Sequence, residues 1–378
     1  MKNVPDIRFM GFDEEWNMSF VYDIAKHSSA KLSESSLDAK FYKYPVYGAS
    51  GFLRKIDTYD MSKPYLAVVK DGAGVGNIYK LPAFSSVLST LHYLTPTNVN
   101  IDILVCVLQN LNLSKKSSGS TIPHLYYKNY KDEIVFIPDN NEQKLISSYI
   151  VEIKKVIIEI EKKIASLKQL KSASLISMFP QQGETVPRVR FKGFDGEWNE
   201  IKADNIFRQF VEKNRPDLPV LSATQDKGMV TRKALGYDIS HDKRNEYSYK
   251  HILPGQFVIH LRSFQGGFAH SDIEGIASPA YTVFEFREKN LHDDIFWKYI
   301  FSSKSFIKRL ETITYGIRDG RSISFDEFKD MKFLIPSVDE QRQIASYFRQ
   351  LDIQISEQEK RLEKLKQIKA ACLDKMFV

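Results

Sequence analysis

Two short polar loops hold the side chains of this chain best suited to chemistry, and that chemistry is hydrogen bonding to a polyanion. One loop, SSGSTIPH (117–124), follows Lys115 and Lys116 and carries Ser118, Ser120 and Thr121 as short donors. The other, YGIRDGRSIS (315–324), sets Arg318, Arg321 and Ser322 beside Gly316 and Gly320. Arginine forks onto a guanine edge or a phosphate, and hydroxyls make the same contacts over a shorter reach. A third cluster, His260, Arg262, Ser263 and Gln265, precedes Gly266 and Gly267 at the end of an expected strand. Its nearest counterparts earlier in the chain are Arg54 within YGASGFLRK (47–55) and Lys70 beside Asp71. Any one of these residues alone reads more readily as part of a solvated turn, because loops are polar. Their recurrence at matched places in two halves of the chain favours a DNA-binding surface.

Bond-making chemistry finds no such support. The eight histidines form no HxxxH pair, the two cysteines form no CxxC, and no spacing builds a metal site. GxxxxGK[ST] is absent, and with it the phosphate cradle of an ATP-driven motor. No Pro-Pro pair occurs, which removes the [DN]PP[YF] pocket that holds a flipped base in amino-methyltransferases. DGAGVGN (71–77) gives only GxGxG between two strand-like runs, so it reads as a hairpin turn. Pro138-Asp139 with Glu152 and Lys154 has nuclease spacing, but Glu152 and Lys154 flank an apolar helix position and become Gln350 and Asp352 in the second copy. No catalytic residue and no metal ligand is assigned.

The elements that must position the loops are repeated. VPDIRFMGFDEEWN (4–17) returns as VPRVRFKGFDGEWN (186–199) with 10 of 14 positions identical, and residues 137–179 return as 335–377 with 19 of 43 identical. After Pro138, Asp139 and Glu142 have N-cap spacing; after Pro336, Ser337 and Glu340 form the same pattern, so a capping box is expected at each helix start. Ile146, Ile150, Ile153, Ile157, Ile160, Ile164 and Leu167 then alternate four and three apart, a heptad seam. Ile344, Phe348, Leu351, Ile355, Gln358, Leu362 and Leu365 keep that register, with Gln358 the one polar member. The linker PQQGET follows the first helix at once, which predicts that the second helix runs back along the first. Forty residues predict an antiparallel rod of roughly 60 Å, against about 34 Å for one turn of duplex.

Between the repeats lie two inserts that barely resemble each other in residues yet share an order of elements. Strands are expected over 65–72, 75–81 and 87–94, then a helix over 102–113; in the second insert, strands over 256–263 and 280–288, then a helix over 293–313. The second insert is longer by 16 residues, the difference between repeat offsets of 182 and 198. The expected fold is α+β: two mixed recognition domains (1–136 and 181–335) joined by long helices (137–180 and 336–378) in an antiparallel coiled coil. Tyr149, Tyr347, Gln143 and Gln341, repeated on both helices, are expected to face outward and bind a partner, or else to pack each helix start against its insert.

Composition agrees with a globular protein. The 378 residues are 43% hydrophobic and 12% aromatic, and 54 basic against 47 acidic residues give a formal charge of +7. That excess fits a polyanionic partner without demanding one. Cys106 and Cys372 form no disulfide framework, and MKNVPDIRF shows no secretory pattern, so a cytoplasmic setting without a membrane span is expected. On these grounds alone a coiled-coil adaptor holding two protein-binding domains remains an alternative.

The motifs together resemble a known family. VPxxRFxGFDxEWN opening each half, IPxxxEQxxIxxY opening each helix, LKxxKxxxLxxMF closing it, and GSTIPHL and GIRDGRSISF upstream are similar to the specificity subunits of type I restriction-modification systems. The resemblance covers essentially the whole chain. It implies a non-catalytic subunit whose two target recognition domains each read one half of a split, asymmetric site on double-stranded DNA. It also implies docking of two methyltransferase subunits that methylate adenine N6 with S-adenosylmethionine. Restriction subunits would add ATP- and Mg-dependent translocation and cleavage. No cofactor is then expected in this chain itself.

Overall fold

The computed structural model describes residues 3–37, 41–119, 121–224, 226–236, 243–314 and 323–377. The chain forms two compact units. The first takes Met1–Lys162 with Glu359–Val378, and the second takes Lys163–Gln358.

In the first unit the repeated opening segment leads into β1 (Asn17–Phe20), the single turn α1 (Val21–Ile24) and β2 (Ala25–Ser29). Then come β3 (Tyr44–Gly48), β4 (Gly51–Ile56), β5 (Tyr65–Val69), β6 (Ile78–Leu81), β7 (Ser86–Val87) and β8 (Leu91–Pro96). α2 (Ile101–Asn110), β9 (Ile134–Ile137) and the long helix α3 (Asn140–Ser177) follow, α3 continuing into the second unit. β5 reads YLAVV without a polar residue because it is buried on both faces. Leu66 and Val68 join the core beneath α2, while Tyr65, Ala67 and Val69 join the core shared with β3 and β7. The strand is the centre of the antiparallel sheet β2-β8-β5-β6, and the order β4-β3-β7 makes the smaller sheet facing it.

The second unit repeats that plan. β10 (Asn199–Lys202), α4 (Ala203–Ile206) and β11 (Phe207–Gln209) match β1, α1 and β2. β12 (Leu221–Ala223), β13 (Met229–Thr231), β14 (Lys250–Ile252), β15 (Phe257–Ile259), α5 (Ser263–Gly266), β16 (Ala269–His270), β17 (Gly275–Ala277) and β18 (Thr282–Phe286) fill the insert. α6 (Asp294–Phe301), α7 (Lys304–Thr314), α8 (Phe325–Lys329), β19 (Lys332–Ile335) and the long helix α9 (Val338–Lys375) complete the chain. The sheet order β11-β18-β15-β16 is the counterpart of β2-β8-β5-β6, and β10-β19 the counterpart of β1-β9. Phenylalanine replaces aliphatic packing here: Phe207, Phe257, Phe284, Phe301 and Phe328 are fully buried in one cluster with Trp297, which Phe207 and Phe301 touch. Such rings contribute roughly 2–3 kcal/mol each on burial.

Several sequence expectations shift in detail. The expected helix over 293–313 is two helices, because the Ser302 and Ser303 hydroxyls bond back to the carbonyls of Lys298 and Ile300 at 2.8 and 2.7 Å and the chain turns there. The strand expected to reach residue 263 ends at Ile259. β3 and β4, and the pairs β1-β9 and β10-β19, carried no clear periodic signal and were not expected.

Within each unit a segment of α3 and a segment of α9 run antiparallel. In the first unit Tyr149 meets Cys372 while Glu161 meets Lys366; in the second Lys171 meets Asp352 while Ser174 meets Tyr347. Ile146, Ile150, Ile157, Ile160 and Ile164 of the seam are buried, as are Ile344, Phe348, Leu351 and Ile355. Ile153, Leu167, Gln358, Leu362 and Leu365 are partly exposed.

Candidate nucleic-acid interface

Each loop-bearing insert is held by the same set of contacts between the opening repeat and its helix. Arg8 Nε and Nη2 donate to the two oxygens of Glu142 at 2.9 and 2.8 Å, and Arg190 donates to Glu340 at 2.7 and 2.8 Å. Both arginines stay charged, each held above the usual range first by its hydrogen bond to the glutamate. The expected capping boxes are therefore half-built. Asp139 Oδ1 accepts from the amide of Glu142 at 3.2 Å, and Ser337 Oγ from that of Glu340 at 3.4 Å. Neither glutamate closes the box, because a charged, planar arginine fork outcompetes a backbone amide for the carboxylate. Trp16 also donates to Glu142 at 2.9 Å, whereas Trp198 Nε1 is buried with no hydrogen-bond partner among the described residues.

The four residues expected to face a partner make contacts within the chain, and Tyr149 and Tyr347 stay partly exposed. Gln143 and Gln341 are buried, each donating to the preceding proline carbonyl at 3.0 and 3.1 Å. Their Oε1 atoms accept from the amides of Asn100 and Asp293, the residues that cap α2 and α6. They join helix start to insert, the alternative role noted above. Tyr149 packs edge-on against Phe9 at 6.0 Å and its hydroxyl lies 3.5 Å from Cys372 Sγ. Tyr347 does the same with Phe191 at 6.0 Å and Ser174 at 2.9 Å. Both rings belong to the intramolecular frame.

In the first unit the structure draws several sequence candidates around His124. The β5-β6 hairpin brings Asp71 Oδ1 within 2.8 Å of His124 Nδ1, and Ser118 exchanges backbone hydrogen bonds with His124 at 2.8 and 2.7 Å. The amide of Leu125 donates to the Lys70 carbonyl at 2.7 Å. DGAGVGN is a hairpin turn, as expected. Gly76 has φ +85°, and a Cβ there would lie 2.5 Å from the amide nitrogen of Ser114, so the hairpin and the 113–116 turn touch backbone to backbone. Lys115 and Thr121 are exposed. Lys116 pairs with Glu133 at 2.6 Å, which occupies its charge. Arg54 is elsewhere, on β4, with Nη1 on the Leu37 carbonyl at 2.8 Å. Ser120 lies outside the described residues.

In the second unit, Arg262 and Gln265 are exposed, whereas His260 and Ser263 are not available to a ligand. Ser263 Oγ accepts from the His260 amide at 2.7 Å, and burial holds the His260 imidazole below its ordinary pKa, so neither supplies a cationic contact. They shape the turn that ends β15. Gly267, at φ +80°, is where that turn passes Phe301: a Cβ would lie 1.9 Å from the Phe301 carbonyl oxygen. Arg318, Arg321 and Ser322 lie outside the described residues. The β12-β13 hairpin adds exposed Lys227 and Lys233 around TQDKGMVTRK, a turn flanked by basic residues that the sequence reading passed over.

Two units with the same four-stranded sheet order, each closed by a matched arginine–glutamate pair and each carrying polar loops that differ in residues, define a duplicated two-module protein. Comparison with known proteins identifies its kind. The Type I restriction modification DNA specificity domain matches residues 13–170 and 196–367, and the chain belongs to that family of type I restriction-modification specificity subunits. It is 22% identical to the MjaVIII type I restriction enzyme specificity subunit of Methanocaldococcus jannaschii over 97% of this chain and 93% of that protein. Its fold is similar to the crystal structure of the type I restriction-modification S subunit from M. genitalium. There the TM-score is 0.67 at 14% identity, covering 99% of each chain. Among the described residues, no helix is long and apolar enough to cross a membrane, and no cluster of His, Cys, Asp and Glu is arranged to hold a metal.

Proposed function

We propose that each unit reads one half of a bipartite, asymmetric DNA site and that the paired helices fix the half-site spacing. The helices also dock two methyltransferase subunits, which carry S-adenosylmethionine and methylate adenine N6. ATP and Mg belong to restriction subunits that join the same assembly in the cytoplasm, and this chain performs recognition without catalysis. One observation carries the reading: within a DNA specificity family, two units share sheet order and frame contacts while their loop residues diverge. A constant frame with variable loops suits two readers of unlike targets. Basic residues such as Lys70 and Lys115 then hold phosphates, and Arg262, Gln265 and Arg321 reach base edges.

Mapping methylated adenines in genomic DNA from cells that make the chain with its methyltransferase tests this directly. A split motif with two unlike blocks at fixed separation is expected. A single contiguous or palindromic motif would overturn the two-reader assignment, and binding to proteins without any sequence-dependent methylation would favour an adaptor.

A further inference from the structure

The small sheet of the first unit carries exposed aromatic side chains that the loops above do not use. Phe41 is 83% exposed, Tyr42 56%, Phe84 50% and Tyr59 39%. Ring contacts join Tyr59 and Phe84 to Tyr44: Tyr44 meets Tyr59 edge-on at 4.8 Å, Tyr59 meets Phe84 at 5.1 Å, and Lys43 Nζ sits 5.0 Å from the centre of the Tyr44 ring.

Two of these rings are presented by left-handed backbone, Tyr42 at φ 52° and Phe84 at φ 56°. For a bulky residue that conformation is disfavoured, and it persists where surroundings enforce it. Here Asp57 Oδ1 accepts from the amides of Phe41 and Tyr42 at 2.7 and 3.1 Å, and the Phe84 amide donates to the Met61 carbonyl at 2.8 Å. A side chain half in water recovers little of that strain by packing. The segment is basic: Lys43, Arg54, Lys55 and Lys63 are exposed, and Lys55 and Lys63 have no ion pair among the described residues. Between residues 41 and 63 the only acids are Asp57 and Asp60. Both are engaged, Asp60 accepting from Tyr93 Oη at 2.6 Å. Strained, exposed rings carried by a cationic segment fit stacked bases lined by phosphates. In the second unit, Tyr247 is the exposed aromatic ring among the described residues.

We propose that this aromatic face joins the polar loop in engaging the first half-site, with Phe84, backed by Tyr59, wedged at a base step from the minor groove and the lysines on flanking phosphates. The inference rests on the DNA-reading function proposed above. It makes the two readers chemically unlike: the first adds deformation of the duplex to its polar contacts, and the second relies on polar donors alone.

The test selects duplexes from a random double-stranded DNA pool with the whole chain and with Phe84→Ala and Phe84→Asn. The wild type enriches two separated blocks, and a 2-aminopurine at a step in the first block brightens on binding. Phe84→Ala, melting as wild type, enriches the second block alone and binds the wild-type site roughly tenfold more weakly. Phe84→Asn, a polar residue that tolerates the left-handed backbone, serves if alanine unfolds the unit; it too should lose the 2-aminopurine signal. Enrichment of both blocks by a folded variant, with unchanged affinity and signal, overturns the inference. So does a variant that binds DNA normally but loses a protein partner, since the face then serves protein contact. If the wild type enriches no sequence, the DNA-reading function itself falls, a result distinct from either.

Discussion

Arg8 holds Glu142 through two hydrogen bonds across 134 positions of sequence, and Arg190 holds Glu340 the same way across 150. Breaking such a pair leaves a cation against a buried site, so Glu142→Gln should destabilise the first unit by on the order of 3 kcal/mol, read by urea unfolding. Trp16 adds a donor to Glu142 while Trp198 has no described acceptor. Trp16→Phe should therefore cost about 1 kcal/mol more than Trp198→Phe. Equal costs would mean that the Trp16 hydrogen bond contributes nothing net.

Gly76 combines positive φ with backbone contact to the 113–116 turn. Gly76→Ala should lower stability by about 2 kcal/mol and loosen the turn that carries Lys115. Amide hydrogen exchange should quicken around 113–125; unaltered protection there would show that the hairpin and the loop are independent.

Burial pushes the His92 imidazole down to about 3 and that of His292 down to about 4. Unfolded, both bind a proton near pH 6.5. The unfolded state thus takes up protons that the native state refuses, and their contribution is complete above about pH 6.5 and lost as pH falls toward the native values. Each adds a slope approaching about 1.4 kcal/mol per pH unit in that window. His292 stacks on Phe286 at 5.1 Å. Substituting it by phenylalanine should remove its share, which unfolding at neutral pH and near pH 5 would reveal as a flatter dependence.

Lys70→Ala and Lys115→Ala should weaken DNA binding evenly across sequences and each reduce the salt slope by roughly one. Binding isotherms over a range of salt check this. A loss confined to one base position would instead make the lysine a base reader.

Inserting one heptad into both long helices should separate the half-sites by roughly 10 Å, about three base pairs. Methylation mapping reads the spacing. An unchanged motif would remove the helices as the ruler.

The frame was legible because its signals are local and duplicated: heptad isoleucines, N-caps and a twice-written RF…EWN segment each point to one structure. Long-range competition was not. Glu142 and Glu340 have capping-box spacing, yet arginines more than a hundred residues away take their carboxylates. Gln143 and Gln341 recur like partner contacts, yet their repetition reflects a repeated junction with the insert. Of the sites, Lys70 and Ser118 do gather near His124, while His260 and Ser263 turned inward because a strand end needed them. The aromatic face escaped notice because Tyr44, Tyr59 and Phe84 are scattered over forty residues without periodicity, and exposure of an aromatic ring is not written in its sequence.

The second unit is one uninterrupted stretch, whereas the first is closed by Met376 and Phe377, the latter against Trp16 at 5.8 Å. During vectorial synthesis the second unit therefore has all its residues before the first does. The Trp16 pocket of the amino-terminal unit stays uncovered until Met376 and Phe377, just past α9, have left the ribosome, so the unit made first is the last to be completed.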